Sequence, residues 1–115
     1  MTAAGYIPDA GDLIWTDFDP TRGREQAGRR PALVISPVVF TENTGLAVVC
    51  PVTSRIRPFP TSVVLPAGLP ISGEILTSHI RSIDTQARPV RYAGATVPPL
   101  IAQLVRAKLN AVIVI

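Results

Sequence analysis

The residues best equipped for chemistry crowd into one stretch. Between Asp19 and Arg30 the sequence DPTRGREQAGRR sets four arginines and Glu25 in a run with no aliphatic side chain larger than alanine. A polar, glycine-bearing loop of this length is at the long end for a compact domain, and such loops often carry function. Ten of the eleven cations in the chain are arginine, the other being Lys108. The planar guanidinium fork pairs phosphate oxygens two at a time, so the basic balance points toward phosphate-bearing or acidic partners. There is one histidine, His79, and one cysteine, Cys50. A His–His acid/base pair within one chain, an HExxH metal helix, a cysteine zinc site and an intrachain disulfide are therefore excluded. No GxxxxGK or GxGxxG phosphate loop occurs. The chemistry left to the chain is that of arginine, carboxylate and hydroxyl.

The elements that must position these groups are short. The chain has 115 residues and a mass of 12.2 kDa, with 47% hydrophobic and 17% charged residues, a formal charge of +3 and a pI near 9.8. That predicts one domain over residues 1–115 with its own core. No basic-then-apolar leader and no run of about 18 apolar residues is present, so a soluble, cytoplasmic protein without membrane attachment is expected. Twelve prolines and eight glycines cut the sequence into pieces that favour strands. Asp12 to Phe18 alternates, with Leu13, Trp15 and Asp17 on one face and Ile14, Thr16 and Phe18 on the other. Pro31–Ser36, Leu46–Thr53 and Thr61–Leu65 read as strands, Pro51 marking an edge or a fraying end. Thr41–Gly45 reads as a turn. Glu74–Asp84 supplies one bent strand or two short ones, and the stretch holding Arg88, Arg91 and Tyr92 reads as irregular up to Gly94. From Val97 the apolar residues Leu100, Ile101, Leu104, Val105 and Leu109 fall at helical spacing, with Thr96 a candidate N-cap. The last five residues, AVIVI, end the helix or add a strand. The expected fold is mainly β with a C-terminal α-helix: a small, strongly bent antiparallel sheet or half-open barrel of SH3-like type.

Three segments together carry a resemblance: GDLIWTDFDPTRGREQAGRRPALVISP from Gly11 to Pro37, VVCPVTS from Val48 to Ser54, and IRSID with the C-terminal LIAQLVRAKLNAVI helix. They span nearly the whole chain, and it resembles the MazF/PemK toxins, the sequence-specific endoribonucleases called mRNA interferases. The D-F-x-P-x-x-G-x-E-Q-x-G-x-R-P-A run is the most specific part. The resemblance implies an SH3-like barrel with a C-terminal helix, a homodimer, and metal-independent cutting of single-stranded RNA without a cofactor. It implies 2′,3′-cyclic phosphate and 5′-hydroxyl ends. It further implies a cognate antitoxin whose acidic, disordered C-terminal tail lies over the RNA groove. By the same resemblance the catalytic arginine matches Arg30, the catalytic threonine Thr53 and the acidic residue of the E-Q pair Glu25. Asp17, Phe18, Gln26, Arg29, Ser54, Arg55, His79 and Arg81 are the expected RNA-binding set.

Attack of a 2′-hydroxyl on phosphorus needs a proton acceptor, a charge stabiliser and a proton donor for the leaving oxygen. Arg30 can hold two phosphate oxygens, Thr53 can hydrogen-bond the phosphate or help position the attacking group, and the base is Glu25 or Arg30. The blander readings stand beside these: a loop ion pair for Glu25, a turn-capping hydroxyl for Thr53, a core role for Trp15 and for Phe18 (unless its ring stacks on a base), and a buried Cys50. The Leu100–Leu109 stripe is read as core and dimer packing. Thr77, Ser78 and His79 stand where many relatives carry an Asp-Gln pair, leaving His79 a groove residue or a core histidine and the recognised RNA sequence open. Two other functions compete: a gyrase-poisoning toxin on the same barrel and a non-enzymatic SH3-like binding module. The E-Q…R-P and P-V-T residues favour the nuclease.

Overall fold

A computed structural model describes residues 5–18 and 29–115. Among the described residues, seven antiparallel strands, a short helix, a 3-10 turn and a C-terminal helix follow in order. They are β1 (Asp12–Asp17), β2 (Arg29–Val34), α1 (Val38–Thr44), β3 (Leu46–Thr53), β4 (Ser62–Val64), β5 (Glu74–Leu76), the turn Thr77–His79, β6 (Arg81–Asp84), β7 (Val90–Thr96) and α2 (Pro99–Val112). The strand order is β4-β5-β3-β2-β1-β7, with β6 also paired to β3.

Alternation along β1 sorts the core into two. Leu13 joins Leu33, Cys50, Val52 and Ile75 on one face, where Ile101, Val105 and Leu109 of α2 close over them. Ile14 joins Ala32, Val34, Val49 and Ile83 on the other. Full burial of each such Leu or Ile contributes roughly 1.5–3 kcal/mol, so a one-residue slip in β1 would forfeit both faces together. Cys50 lies in the first cluster and is fully buried, which pushes its thiol pKa up to about 12.

The strand β3 is the spine. One edge pairs with β2, through Val49, Cys50 and Pro51. Its other edge takes β6 along Leu46–Val49 and then β5 along Val52–Thr53. Pro51 falls where β3 changes partner, so it marks a switch inside the sheet and not a fraying end. A residue without an N–H belongs at such a break in the ladder. The Glu74–Asp84 segment is two short strands joined by the turn, which pair with successive parts of β3.

Four local expectations are corrected. Thr41–Gly45 is the end of helix α1, not a free turn. Gly45 closes that helix in the left-handed region (φ 77°), and the Asp9 carboxylate, 29 residues upstream, accepts the Val38 N–H at 2.8 Å. A cap donated from so far away leaves no local signature. The stretch up to Gly94 is a regular strand, β7, along β1. Its sequence hardly alternates, and pairing with β1 imposes the extended form. Thr96 does not cap α2: Pro98 holds that position, and the Thr96 hydroxyl donates to Asp12 at 3.1 Å. Finally, Leu100 and Leu104 of the expected stripe are exposed and lie outside the core; of the two readings of the last five residues the helix-ending one holds, with α2 running to Val112.

Gly73, just before β5, has φ +139°, and a Cβ there would lie 2.2 Å from the Thr53 carbonyl oxygen. Gly73→Ala should therefore lower stability by roughly 1–3 kcal/mol from backbone strain alone, with the clash in addition. Urea denaturation checks this; an unchanged midpoint would show that β5 does not need so close an approach.

Candidate functional site

Arg30 is the second residue of β2 and Thr53 the last of β3. The β2–β3 register pairs Ala32 with Pro51; continued two residues further, it sets Arg30 across from Thr53. Both line a single open cleft of about 530 Å³, together with Trp15, Arg29, Ser54 and Ile71. Arg30 is exposed and Thr53 half-buried. The core expectation for Trp15 holds in part, since it is half-buried against the first cluster and also forms a wall of this cleft.

The threonine hydroxyl has a defined polarity. Its oxygen accepts the Arg55 N–H at 3.2 Å, a short turn of the kind hydroxyl side chains make with the backbone two residues on. The hydroxyl proton remains available as a donor, the orientation suited to a phosphate oxygen. Arg30 is directly opposite Thr16 of β1, whose buried hydroxyl has no hydrogen-bond partner among the described residues.

Thr53 also borders a second pocket of about 280 Å³, lined by Arg55, Arg57, Phe59, Glu74 and His79 among others. This settles the alternatives for His79. It is exposed, at the end of the 3-10 turn, and belongs to a groove rather than to the core. Arg29, Arg30, Thr53 and Ser54 are thus gathered at one cleft, with Arg55 and His79 at its neighbour.

Asp17, Phe18 and Arg81 are gathered elsewhere. The Arg81 guanidinium lies 5.1 Å from the Phe18 ring centroid, within cation–π range. Phe18 packs against the second core cluster. The Asp17 carbonyl accepts Arg88 Nη1 at 2.6 Å, and Asp17 is opposite Arg29 in the sheet. None of the three lines either pocket. Glu25 and Gln26 lie outside the described residues.

Sequence reasoning missed Glu74. It is cross-strand from Thr53, only 1% exposed, and ionised. The Ser62 hydroxyl and the Arg57 N–H, donating to its two oxygens, hold its pKa below the ordinary glutamate value against the opposing effect of desolvation. The available signal was a lone charge in the apolar run GEIL. Among the described residues no three His, Cys, Asp or Glu side chains converge on a metal-sized site. Nor is any helix among them long and apolar enough to cross a membrane.

A bent antiparallel sheet with a covering C-terminal helix and an arginine–threonine cleft can be compared with known proteins. Residues 9–113 match the family described as PemK-like, MazF-like toxin of type II toxin–antitoxin systems. The endoribonuclease toxin MazF of Escherichia coli (strain K12) is 45% identical over 108 residues, covering 94% of this chain and 96% of that protein. The crystal structure of MazF (Form-I) from Deinococcus radiodurans has a TM-score of 0.83 at 47% identity, over 93% of this chain and 96% of that one. A MazE–MazF crystal structure (Form-III) from the same organism has a TM-score of 0.84 at 45% identity, with coverages of 93% and 96%. The chain belongs to the PemK-like, MazF-like toxin family, and its class is the MazF-type endoribonuclease toxin of a toxin–antitoxin system.

The lowered pKa of Glu74 has a consequence for stability. Because the folded value lies below the unfolded one, the stabilisation is complete above the unfolded value of 4.5 and is lost as pH falls through the folded value. Glu74→Gln should be less stable than the parent at neutral pH, and the gap should narrow on acidification to about pH 3. Urea titrations at the two pH values measure it; a gap independent of pH would mean the carboxylate is not the charged partner assigned here.

Proposed function

We propose that this toxin cuts single-stranded RNA, sequence-specifically, at the cleft shared by Arg30 and Thr53. The observation that carries the reading is their common cleft, with the Thr53 oxygen already occupied by the Arg55 N–H and its proton free. The scissile phosphate sits between them. The guanidinium of Arg30 takes two non-bridging oxygens and stabilises the charge that grows as phosphorus becomes pentavalent. The hydroxyl of Thr53 donates to the same phosphate. The 2′-oxygen forms its bond to phosphorus as the bond to the 5′-oxygen breaks, leaving a 2′,3′-cyclic phosphate and a 5′-hydroxyl. The 2′ proton goes to the Glu25 carboxylate, because a guanidinium cation has no site to accept it, and the departing 5′-oxygen takes a proton from solvent water. The step needs neither metal nor cofactor.

Arg29, Ser54, Arg55 and His79 flank the phosphate and track the RNA on either side of it. Gln26, Asp17, Phe18 and Arg81 extend the contact from the long loop and the end of β1. A cognate antitoxin covers the same basic surface with an acidic C-terminal tail; the similar MazE–MazF complexes support an antitoxin partner. Two copies of the chain form a homodimer, for which the exposed apolar strip of Leu100, Leu104, Val112 and Ile113 offers surface. The working compartment is the cytoplasm, where mRNA is available.

Incubating the purified protein with single-stranded RNA in EDTA and mapping the new 5′ ends tests this. Arg30→Ala should lower kcat by roughly 10²–10³-fold, as loss of a transition-state charge stabiliser does, while the circular dichroism spectrum is retained. Thr53→Val should lower kcat in the same direction by a smaller factor. Full activity in Arg30→Ala would overturn the assignment.

A further inference from the structure

Glu74 is a buried anion that no catalytic step uses. A carboxylate out of water must be satisfied by donors or it destabilises the fold. Its donors come from one place. The Arg57 N–H donates to Oε1 at 2.8 Å and the Ser62 hydroxyl donates to Oε2. Ser62 passes the restraint on, because its oxygen accepts the Phe59 N–H at 3.3 Å and its own N–H donates to the Phe59 carbonyl at 3.1 Å. The ties at the far end of the segment are to single carbonyls: Thr77 Oγ1 donates to Thr61, and Lys108 Nζ donates to Pro60 at 2.6 Å. The connection from Ser54 to Thr61 is therefore folded down on one carboxylate. That connection brings Arg55, Arg57 and Phe59 to the pocket beside Thr53.

An anion in this place opposes the approach of phosphates, since like charges repel and the effect is larger away from water. An apolar residue would fill the strand position without that penalty. The charge is explained if its work is to hold the loop. We propose that Glu74 is a positioning residue, which clamps the Ser54–Thr61 loop so that Arg55 and Arg57 stand beside Thr53 and grip the RNA next to the scissile phosphate. At 1% exposure it does not touch the substrate; it acts through the loop. The proposal rests on the RNA-cleaving reading above, and part of its test is independent of that reading.

The full chain and three variants, Glu74→Val, Glu74→Gln and Ser62→Ala, are compared in two assays. In the first, steady-state cleavage of a fluorophore-labelled RNA bearing the mapped wild-type cut sequence should show KM raised about tenfold in Glu74→Val with kcat within about threefold, the pattern of lost binding rather than lost chemistry. Glu74→Gln, which keeps an oxygen for the Arg57 N–H, should fall between. In the second, trypsin acts on the folded protein; the Arg55–Ile56 bond is open to it, whereas Arg57 is followed by proline. Cutting at Arg55 should be about tenfold faster in Glu74→Val, because proteolysis follows the population of the opened segment. If Glu74→Val does not fold, Ser62→Ala, which removes one donor only, decides with the same two readouts in the same directions. Unchanged KM together with an unchanged tryptic rate would overturn the proposal. So would a kcat loss at constant KM, since that places Glu74 in the chemistry. Absence of RNA cleavage by the wild type would instead remove the functional reading, and the tryptic comparison would still judge the clamp.

Discussion

Arg30 and Thr53 are separated by an entire helix and two strand lengths of chain, and only the antiparallel pairing of β2 with β3 brings their ends together. That ladder is short, and it is fixed from outside. Leu33 and Cys50 bury into one cluster while Ala32, Val34 and Val49 bury into the other. A slip of one residue would turn each of these to the wrong face, so the core on both sides enforces the register on which the cleft depends. Arg30 and Thr53 lie just beyond the last β2–β3 pair, each held by its other neighbour, Arg30 by Thr16 of β1 and Thr53 by Glu74 of β5.

The second constraint is electrostatic. With a single histidine, on a groove wall and outside the Arg30–Thr53 cleft, the charge that the described residues bring to that cleft is carried by the guanidinium groups of Arg29 and Arg30. Charge of this kind suits stabilisation of a phosphate better than proton transfer, and in the proposed reaction the rate would come from preorganised charge and hydrogen-bond donors more than from a matched acid and base. The Thr53 oxygen, already accepting the Arg55 N–H, leaves the hydroxyl proton for a phosphate in that scheme.

What could be read from the sequence follows the range of the forces involved. The alternating faces of β1 and the limits of β3 rest on local periodicity, and they appear where they were expected. Helix α1 and strand β7 were hidden because each depends on a distant partner, Asp9 for the first and β1 for the second. The same division runs through the site. Arg30 and Thr53 were legible through a family pattern, and the fold gathers them. Glu74 was not, because its meaning lies in donors from a loop that begins some twenty residues earlier in the chain. His79 was ambiguous for the converse reason: one imidazole between a turn and a strand suits a core or a groove, and only the pairing of β5 and β6 with successive parts of β3 leaves it outside, at the end of the 3-10 turn between them.

These two kinds of residue imply a division of labour within the domain. The residues proposed to act on the phosphate, Arg30 and Thr53, sit near strand ends, where the sheet holds them and little can change without loss of register. Groups positioned to touch the flanking nucleotides sit on the Ser54–Thr61 connection and the 3-10 turn, outside the sheet ladder. Substitutions there alter shape and charge around the RNA without disturbing the core. Ser78 and His79, both exposed, lie in such a place. A toxin built this way can keep one reaction while its preferred RNA sequence drifts, provided the loop stays anchored. The Glu74 carboxylate, reaching from the sheet into the loop, links the fixed part of the site to the variable one.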